Sequence, residues 1–202
     1  MGGEAIDCEQ SSRTSTALDP LDTLSGNFSH HVVDFDLPTR GLPLSFARTY
    51  NARDAYTGPL GRGWTHSFNT QLYTTTEHVV WQGAQGARME FTDNGDGTFT
   101  PDAGIRATLF FTQDTYTLIR GDNLVYTFNV TGTLTGLADN LGRTTTLTYT
   151  DGDLTTIRGA DGRALTLSYN DQGRITQITD PLWRTALYTY TDNVLTLSLI
   201  HI

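Results

Sequence analysis

Apolar and polar residues alternate in the C-terminal half of the chain. In Leu165–Tyr169, which reads LTLSY, apolar side chains occupy every second position, and this period is typical of a half-buried strand. Asn170–Gly173 follows as a turn, because Gly adopts a positive φ without strain. Arg174–Thr179 is then the return strand, and Asp180–Trp183 turns the chain back. The pattern predicts a β-hairpin unit of roughly 20 residues.

The same unit occurs about three times. Five columns of residues recur at intervals of 20 or 21 positions. They are the glycines Gly132, Gly152 and Gly173; the aliphatic residues Leu134, Leu154 and Ile175, and Leu137, Ile157 and Ile178; the arginines Arg143, Arg163 and Arg184; and the aromatic residues Phe128, Tyr149, Tyr169 and Tyr190. Fixed self-similarity of this length indicates a repeat architecture. Because an isolated hairpin is marginal in water, each unit needs its neighbours.

One spacing does not fit simple alternation. Ile175 and Ile178 are three positions apart, so a regular strand would place them on opposite faces of the sheet. Either a β-bulge lies between them or both faces of the sheet are covered. A short helix would also bring them together, but the surrounding Thr residues argue against a helix.

The region before the repeats reads as further short strands. Leu42–Tyr50 alternates so that Leu44, Phe46 and Arg48 are expected on one face. Residues 38–41 and 58–63 carry Gly and Pro and are predicted turns or loops. Strands are predicted at 32–37, 42–50, 64–69, 71–75, 78–82, 87–92, 98–100, 106–111 and 115–120.

The predicted fold is all-β, with antiparallel β-hairpin repeats stacked into a continuous sheet and preceded by a β-rich N-terminal domain. We divide the chain into a disordered lead-in at residues 1–18, a β-rich domain at 19–124 and the repeats at 125–196. Residues 197–202 lose the turn signals of the repeat, so we expect a truncated or artificial end there.

Composition narrows the possible partners. The net charge of −9 and the lack of an Arg cluster disfavour a nucleic-acid partner. Cys8 is the only cysteine, so neither an internal disulfide nor a Cys-based zinc site is expected. No apolar run approaches the ~20 residues that span a bilayer. The N-terminal residues do not have the pattern of a signal peptide.

A few polar residues could carry chemistry. The residues that could form a metal or acid–base site are His30, His31, Asp34, Asp36, His66 and His78. Their spacing matches no metal motif, so we expect them to be surface residues of strands or turns. Asp93–Gly97 resembles a calcium loop, but Gly95 and Gly97 occupy positions that need oxygen ligands. A hairpin turn is therefore favoured for Asp93–Gly97.

No catalytic, cofactor-binding or metal-binding residue is predicted, and no cofactor is expected. Ser25 and Ser67 lack the context of a nucleophile elbow. Gly58–Gly63 lacks the Lys and Ser or Thr of a phosphate loop, so we expect a flexible loop. Trp64, Trp81 and the tyrosines could stack on sugars, although core or cross-strand packing is favoured. The chain is therefore not expected to be an enzyme.

The repeat units resemble the YD repeat of Rhs proteins. In that repeat a strand ends in Tyr followed by Asp or Asn, a turn ends in Gly-Arg, and Asp-x-x-Gly-Arg follows the return strand. Tyr169–Arg174 and Gly159–Arg163 match this pattern, apart from Gly159 in place of the first Asp. Asp180–Arg184 matches with Trp183 where Gly is expected. Upstream, the segments 19–28, 40–51 and 61–68 look like the domain of unknown function DUF6531, which precedes the repeats in Rhs and WapA-like proteins.

The resemblance implies a structural part of a polymorphic toxin. In such proteins many YD repeats wind into a β-shell that encapsulates a C-terminal toxin, absent here, and delivers it in interbacterial competition. The implied partners are later repeats and the toxin domain, and the implied location is secreted or at the cell surface of a bacterium. A β-module that binds cell-surface carbohydrate is the alternative, and a hydrolase has the least support.

Overall fold

The computed structural model describes residues 21–22 and 27–201, and this part of the chain consists of β-strands and connecting turns, without a helix. The prediction of an all-β fold is confirmed. The first strands are β1 (Leu21–Asp22), β2 (Asn27–Leu37), β3 (Leu44–Asn51), β4 (Thr57–Gly58), β5 (Gly61–Arg62) and β6 (Trp64–His66). Then follow β7 (Gln71–Thr74), β8 (His78–Gln82), β9 (Arg88–Asp93), β10 (Thr98–Pro101), β11 (Ala107–Thr112) and β12 (Thr115–Arg120). The repeat region holds β13 (Val125–Asn129), β14 (Leu134–Ala138), β15 (Thr144–Thr150), β16 (Asp153–Arg158), β17 (Ala164–Tyr169), β18 (Ile175–Thr179), β19 (Thr185–Thr191) and β20 (Val194–His201).

The strands form two main sheets. Strands β1, β2, β3 and β6 make a four-stranded sheet in that order, which we call the N-terminal sheet. Strands β7 to β20 make a fourteen-stranded antiparallel sheet in which each strand pairs with the next one along the chain. We call it the long sheet. Strands β4 and β5 form a separate short ribbon. The prediction of stacked antiparallel hairpins in one continuous sheet is confirmed.

The long sheet runs without a break across residue 125, where the repeats were expected to begin, because β12 pairs with β13. The division into domains at that point stays a prediction. Residues 194–201 form β20 and pair with β19. That residues 197–202 are a truncated or artificial end also stays a prediction. The expected lead-in at residues 1–18 lies outside the described residues.

A β-bulge recurs in every repeat unit. Tyr169 pairs with Ile175 while the preceding Ser168 pairs with Gln177, so Thr176 is the additional residue. The bulge brings Ile175 and Ile178 to the same face, and both are fully buried. Equivalent shifts occur at three other hairpins, before Phe128, Tyr149 and Tyr190. Of the alternatives for the three-residue spacing of Ile175 and Ile178, the β-bulge is therefore the correct one.

A threonine holds each bulge in place. The Thr176 hydroxyl donates to the Ser168 carbonyl oxygen at 3.2 Å. The corresponding residues of the other units donate in the same way, at 3.1 to 3.2 Å, from Thr135 to Thr127, from Thr155 to Thr148 and from Thr196 to Thr189. Because a bulge interrupts the backbone ladder, the side chain supplies a hydrogen bond that the ladder cannot.

Four turns of the repeats share one Asx pattern with a positive-φ residue, and these turns begin at Asn129, Asp139, Asn170 and Asp180. Asn170 Oδ1 accepts from the backbone N–H of Gln172 and of Arg174, at 3.1 and 3.0 Å. Glycine normally fills the positive-φ place, as at Gly173 with φ of 68°. Trp183 occupies the equivalent place with φ of 66° and is 86% exposed, so a bulky side chain takes a backbone conformation that favours glycine.

The two sheets share one hydrophobic core. Phe35, Leu44 and Phe46 of the N-terminal sheet belong to the same buried cluster as Leu165 and Ile178 of the long sheet. Leu44 and Phe46 are fully buried and Arg48 is 6% exposed, so the three lie on the face that was predicted for them. Complete burial of an aliphatic or Phe side chain contributes about 1.5–3 kcal/mol, which makes this shared core the main cohesive force between the sheets.

Gly132 allows the long sheet to close on its own first strand. The Leu72 N–H donates to the Gly132 carbonyl oxygen at 2.9 Å, and Gln71 forms a β-bridge with Thr133. A Cβ atom on Gly132 would overlap the Leu72 carbonyl oxygen, and Gly132 has φ of 81°. The free edge of β7 is thereby covered by the turn between β13 and β14, which protects an otherwise unpaired strand.

We expect Gly132→Ala to destabilise the chain far more than Gly142→Ala. The two glycines close turns with the same hydrogen-bond pattern, and Gly142 has φ of 75° with open space around it. Gly142→Ala should cost about 1–2 kcal/mol for the left-handed backbone alone. Gly132→Ala should cost about 1–3 kcal/mol more because of overpacking. Urea unfolding of both variants measures the difference, and equal losses would contradict the proposed contact with Leu72.

Candidate functional site at the junction of the two sheets

A β-bulge in β2 turns Asp34 into the junction between the sheets. Val33 pairs with Ala47 and Phe35 with Phe46, so Asp34 is the additional residue. Bulges redirect a side chain in this way. Asp34 is 7% exposed, whereas Val33 beside it is 49% exposed.

Arg48 and Tyr188 meet the buried carboxylate. Arg48 Nε donates to Asp34 Oδ2 at 2.8 Å, and the Tyr188 hydroxyl donates to the same oxygen at 2.7 Å. The Arg48 guanidinium also lies over the ring of Trp64 at 5.0 Å and that of Tyr188 at 5.7 Å. Burial and the nearby charge of Asp34 raise the pKa of Tyr188, so its hydroxyl stays a donor. The network joins β2 and β3 to β19.

The loop between β4 and β5 forms a second contact with the repeats. The Ile175 N–H donates to the Pro59 carbonyl oxygen at 2.9 Å. Arg174 donates through Nη1 to the Gly58 carbonyl oxygen. The Arg62 N–H donates to the Asn193 carbonyl oxygen at 3.3 Å. The β4–β5 region therefore bonds to the Arg174 side chain and the Ile175 backbone at the bulge of one hairpin, and to the Asn193 backbone at the turn of the next.

The turn after β2 forms a third contact at the opposite row of turns. Arg163 donates through Nη2 to the Pro38 carbonyl oxygen. A Cβ atom on Gly41 would lie 3.1 Å from Cβ of Arg143, so the two turns are closely packed. The N-terminal sheet consequently extends between the two rows of repeat turns and touches both.

The repeat arginines form ion pairs within the turns. Arg143 pairs with Asp139 at 2.7 Å and Arg184 with Asp180 at 2.6 Å. Where Gly159 replaces the first Asp, Arg163 pairs instead with Asp161 at 2.7 Å. Hydrogen bonds from Arg143 and Arg163 lower the pKa of Asp139 and Asp161. The arginine column is thus a turn-stabilising feature in all three units.

The aromatic column lies between neighbouring hairpins. Phe128 is fully buried. The Tyr169 hydroxyl donates to the Leu154 carbonyl oxygen at 2.9 Å, and that of Tyr190 to the Ile175 carbonyl oxygen at 2.6 Å. The Tyr149 hydroxyl forms no such bond within the described part of the chain. Of the glycine column, Gly132 and Gly173 end Asx turns, and Gly152 belongs to a two-residue turn with Asp151. That these columns define the repeat stays a prediction.

The expectation of surface positions was right for His30, His31 and Asp36, which are exposed, and wrong for Asp34 and His66, which are buried. His66 stacks on the Phe46 ring at 5.2 Å, and its Nδ1 accepts from the Phe68 N–H at 3.3 Å. Burial lowers the pKa of His66 to about 4. Tertiary packing against the long sheet, which no local pattern reveals, decides both positions.

The other candidates serve local structure. Asp93–Gly97 is a hairpin turn between β9 and β10, as favoured from the sequence, and Asp93 Oδ1 accepts from the Gly95 N–H at 2.8 Å. The Ser67 hydroxyl donates to the Ser45 carbonyl oxygen at 3.0 Å. Ser25 lies outside the described residues. Within residues 21–22 and 27–201, no three His, Cys, Asp or Glu side chains come together as a metal site.

Two of the tryptophans are packed rather than presented to a ligand. Trp81 is 5% exposed, with the Tyr126 ring at 5.9 Å and the Arg120 guanidinium at 5.4 Å. Trp64 is half-buried between Tyr50, at 5.2 Å, and Arg48. The packing prediction for Trp64 and Trp81 is therefore confirmed.

Comparisons with known proteins agree with this architecture. Residues 18–91 match the family described as Domain of unknown function (DUF6531), and residues 150–182 match the RHS Repeat. The tRNA nuclease WapA of Bacillus subtilis (strain 168) is 31% identical over 132 residues, which are 65% of this chain and 6% of that protein. The chain is an Rhs/YD-repeat, WapA-like protein. The probable deoxyribonuclease RhsB of Dickeya dadantii (strain 3937) is 39% identical over 82 residues, which are 39% of this chain and again 6% of that protein.

The matched part of this Rhs/YD-repeat chain therefore spans a small fraction of the length of these curated relatives. In the part that the structure describes, no helix is long and apolar enough to cross a membrane.

One signal in the sequence of this Rhs/YD-repeat chain could have revealed the buried network. Arg48 shares the core face of β3 with Leu44 and Phe46, and an arginine on a core face needs a buried acidic partner. Asp34, on the adjacent predicted strand, was an available partner. Tyr188 could not have been found in this way, because it lies 154 positions further along the chain.

We expect Asp34→Asn to destabilise the chain by about 3–5 kcal/mol, because it leaves the charge of Arg48 buried without its carboxylate. Tyr188→Phe removes one hydrogen bond to a charged acceptor and should cost about 1.5–3 kcal/mol. The control is Asp36→Asn, which removes the same charge from an exposed position on β2 and should cost less than about 0.5 kcal/mol. Chemical unfolding gives the three values. A loss for Asp34→Asn no larger than for Asp36→Asn would show that the network does not hold the sheets together.

We also expect His66 to make the chain sensitive to acid. Its pKa is about 4 when folded and about 6.5 when unfolded, so only the unfolded chain binds the proton between these values. The free energy of unfolding should therefore fall by about 3 kcal/mol between pH 6.5 and pH 4, in addition to the contribution of the carboxylates.

The measurement compares unfolding of the wild type and His66→Gln from pH 4 to pH 7.5. Gln cannot take up the proton and retains an acceptor for the Phe68 N–H, so the variant should show a smaller pH dependence. His31→Gln, at an exposed position, is the control and should keep the wild-type slope. Identical slopes for wild type and His66→Gln would contradict the prediction.

Proposed function

We propose that this chain is the N-terminal structural part of an Rhs polymorphic toxin, and that it contributes to a β-shell that encapsulates and delivers a C-terminal toxin in interbacterial competition. Relatedness to Rhs-type toxins rests on the RHS Repeat match and on relatives such as RhsB. The later repeats and the toxin domain are the proposed partners. The proposed location is the surface of a bacterium or the medium outside it.

The observation that carries the proposal is the unbroken pairing of the long sheet from β7 to β20. Each 20–21-residue unit adds two antiparallel strands to the same sheet and extends the same buried face. Repeat architectures of this kind grow by adding units to an edge. A wall that grows in this way is what an enclosing shell requires.

The nuclease names belong to the relatives, and we propose that any such activity of the complete protein is carried outside residues 27–201. Within this range, Asp and Arg side chains stabilise turns and form the Asp34 network, and Thr side chains hold the bulges. The negative charge of the chain also opposes binding of a nucleic acid. The chain itself is then a non-catalytic component.

Two experiments test the proposal. Purified chain incubated with tRNA and with DNA, with and without Mg²⁺, should release no cleavage products. Turnover that copurifies with the chain through two chromatography steps would overturn the non-catalytic role.

The second experiment is electron microscopy of the complete gene product. We expect a closed β-walled particle with an internal volume that holds the C-terminal domain. An open, extended sheet, or a C-terminal domain that lies outside the wall and is cut by added protease as fast as the isolated domain, would contradict the shell.

A further inference from the structure

A cleft lies between the segment that links the two sheets and the hairpins of the repeats. Its volume is about 280 Å³, at the lower limit of small-molecule sites. The residues that line it include His66, Asn69, Tyr149, Asp153, Tyr169 and Gly173. The cleft differs from the Asp34 network and is not used by the proposed shell function.

The repeat register shows that Asp153 is an exception. Thr133, Asp153 and Arg174 each follow the glycine of their unit. Thr133 bridges Gln71, and Arg174 bonds the Gly58 carbonyl oxygen and Asn193 Oδ1, so both positions are tied to neighbouring elements. The Asp153 side chain has no hydrogen bond or ion pair to any residue in the described ranges, and it opens onto the cleft instead.

Tyr149 is the corresponding exception in the aromatic column. Tyr169 and Tyr190 each donate a hydroxyl hydrogen bond to a backbone carbonyl of the preceding hairpin. Tyr149 has no hydroxyl partner among residues 27–201, although burial is strong enough to raise its pKa to about 12. The cleft therefore holds the Asp153 carboxylate and the Tyr149 hydroxyl, neither of which has a hydrogen-bond partner among residues 27–201, whereas the residues in the equivalent positions of the neighbouring units are engaged.

The electrostatic character of the cleft is uniform. Asp153 is the one Asp or Glu side chain among its lining residues, and no Arg lines it. Burial and, after it, the charge of Asp153 raise the pKa of Tyr169, and both side chains line the cleft. His66 stays neutral at pH 7, because burial lowers its pKa to about 4, and adds no repulsion toward a cation.

We propose that this cleft binds an organic cation, a guanidinium or alkylammonium group on a short alkyl arm. Asp153 supplies a charge-assisted acceptor, which is the strong kind of hydrogen bond. Tyr149 and Tyr169 also line the cleft, and aromatic rings attract a guanidinium or ammonium group. The small volume limits the ligand to such a group and a few methylenes. The source is either a free small molecule or an Arg or Lys side chain of a protein segment.

The test is titration calorimetry of the whole chain with butylguanidinium, and with butylurea as a neutral molecule of nearly the same shape. Butylguanidinium should bind, and butylurea should bind at least about tenfold more weakly. Asp153→Asn should weaken the binding of butylguanidinium by about tenfold or more. Tyr149→Phe, which removes only the hydroxyl, should weaken it by a smaller factor.

The matched control is Asp151→Asn, which removes an equal charge two positions away in an exposed turn that does not line the cleft. It should leave the affinity unchanged within about a factor of two. Unfolding curves of all variants verify that they are folded. Absence of butylguanidinium binding, equal affinity for butylurea, or equal effects of Asp151→Asn and Asp153→Asn would overturn the proposal.

A third titration separates the two sources. The peptide Gly-Arg-Gly presents the same guanidinium within a protein backbone. Binding of the peptide more tightly than butylguanidinium assigns the cleft to a protein side chain, and the reverse order assigns it to a free small molecule. Both orders support the cation site, whereas failure of both ligands to bind removes it.

Discussion

A carboxylate buried between two sheets constrains how they can lie against each other. The Asp34 side chain is inaccessible to solvent, and an ionised carboxylate in such a place is tolerated only with close partners. Arg48 from β3 and Tyr188 from β19 both have to reach the same oxygen atom. Sliding the N-terminal sheet by one residue along the long sheet would separate Tyr188 from Asp34 and Arg48. Hydrophobic burial supplies most of the cohesion, but it is non-directional, so the polar network selects one arrangement.

The second constraint acts within each repeat and is set by the bulge. Without the additional residue, Ile175 and Ile178 would lie on opposite faces, and one of them would face the solvent. The bulge places both in the core. The Thr176 hydroxyl donates to the Ser168 carbonyl oxygen, which the interrupted backbone ladder leaves without a hydrogen bond. Recurrence of the same Thr in four hairpins shows that the bulge is part of the repeat. In the sequence these threonines have the pattern of ordinary strand residues, so alternation alone does not distinguish them.

The turns show how the repeat tolerates change. Where Gly159 replaces an Asp, Asp161 takes over both the backbone hydrogen bond and the pairing with Arg163. Trp183 has the positive φ that glycine has in the equivalent turns, because Asp180 Oδ1 accepts hydrogen bonds from the N–H groups of Leu182 and Arg184 and thereby fixes the turn. The turns that begin at Asp139, Gly159 and Asp180 share the same backbone hydrogen bonds, and different side chains support them. Asp153 differs from these substitutions. It stands where the neighbouring units have Thr133 and Arg174, and its side chain lines an open cleft and does not stabilise a turn.

The sequence by itself determined the all-β class, the strands, the hairpin turns and the core faces of the repeats. These properties depend on interactions between residues close in the chain, and alternation, turn residues and a 20–21-residue period record such interactions directly. It also left only a few explanations for the three-residue spacing of Ile175 and Ile178, and the structure shows that the β-bulge is the correct one. Only the tertiary structure decided that Asp34 and His66 are buried and that Tyr149 and Asp153 face a cleft. Burial of a polar side chain depends on which distant element covers it, and a partner 154 positions away leaves no mark on the local pattern.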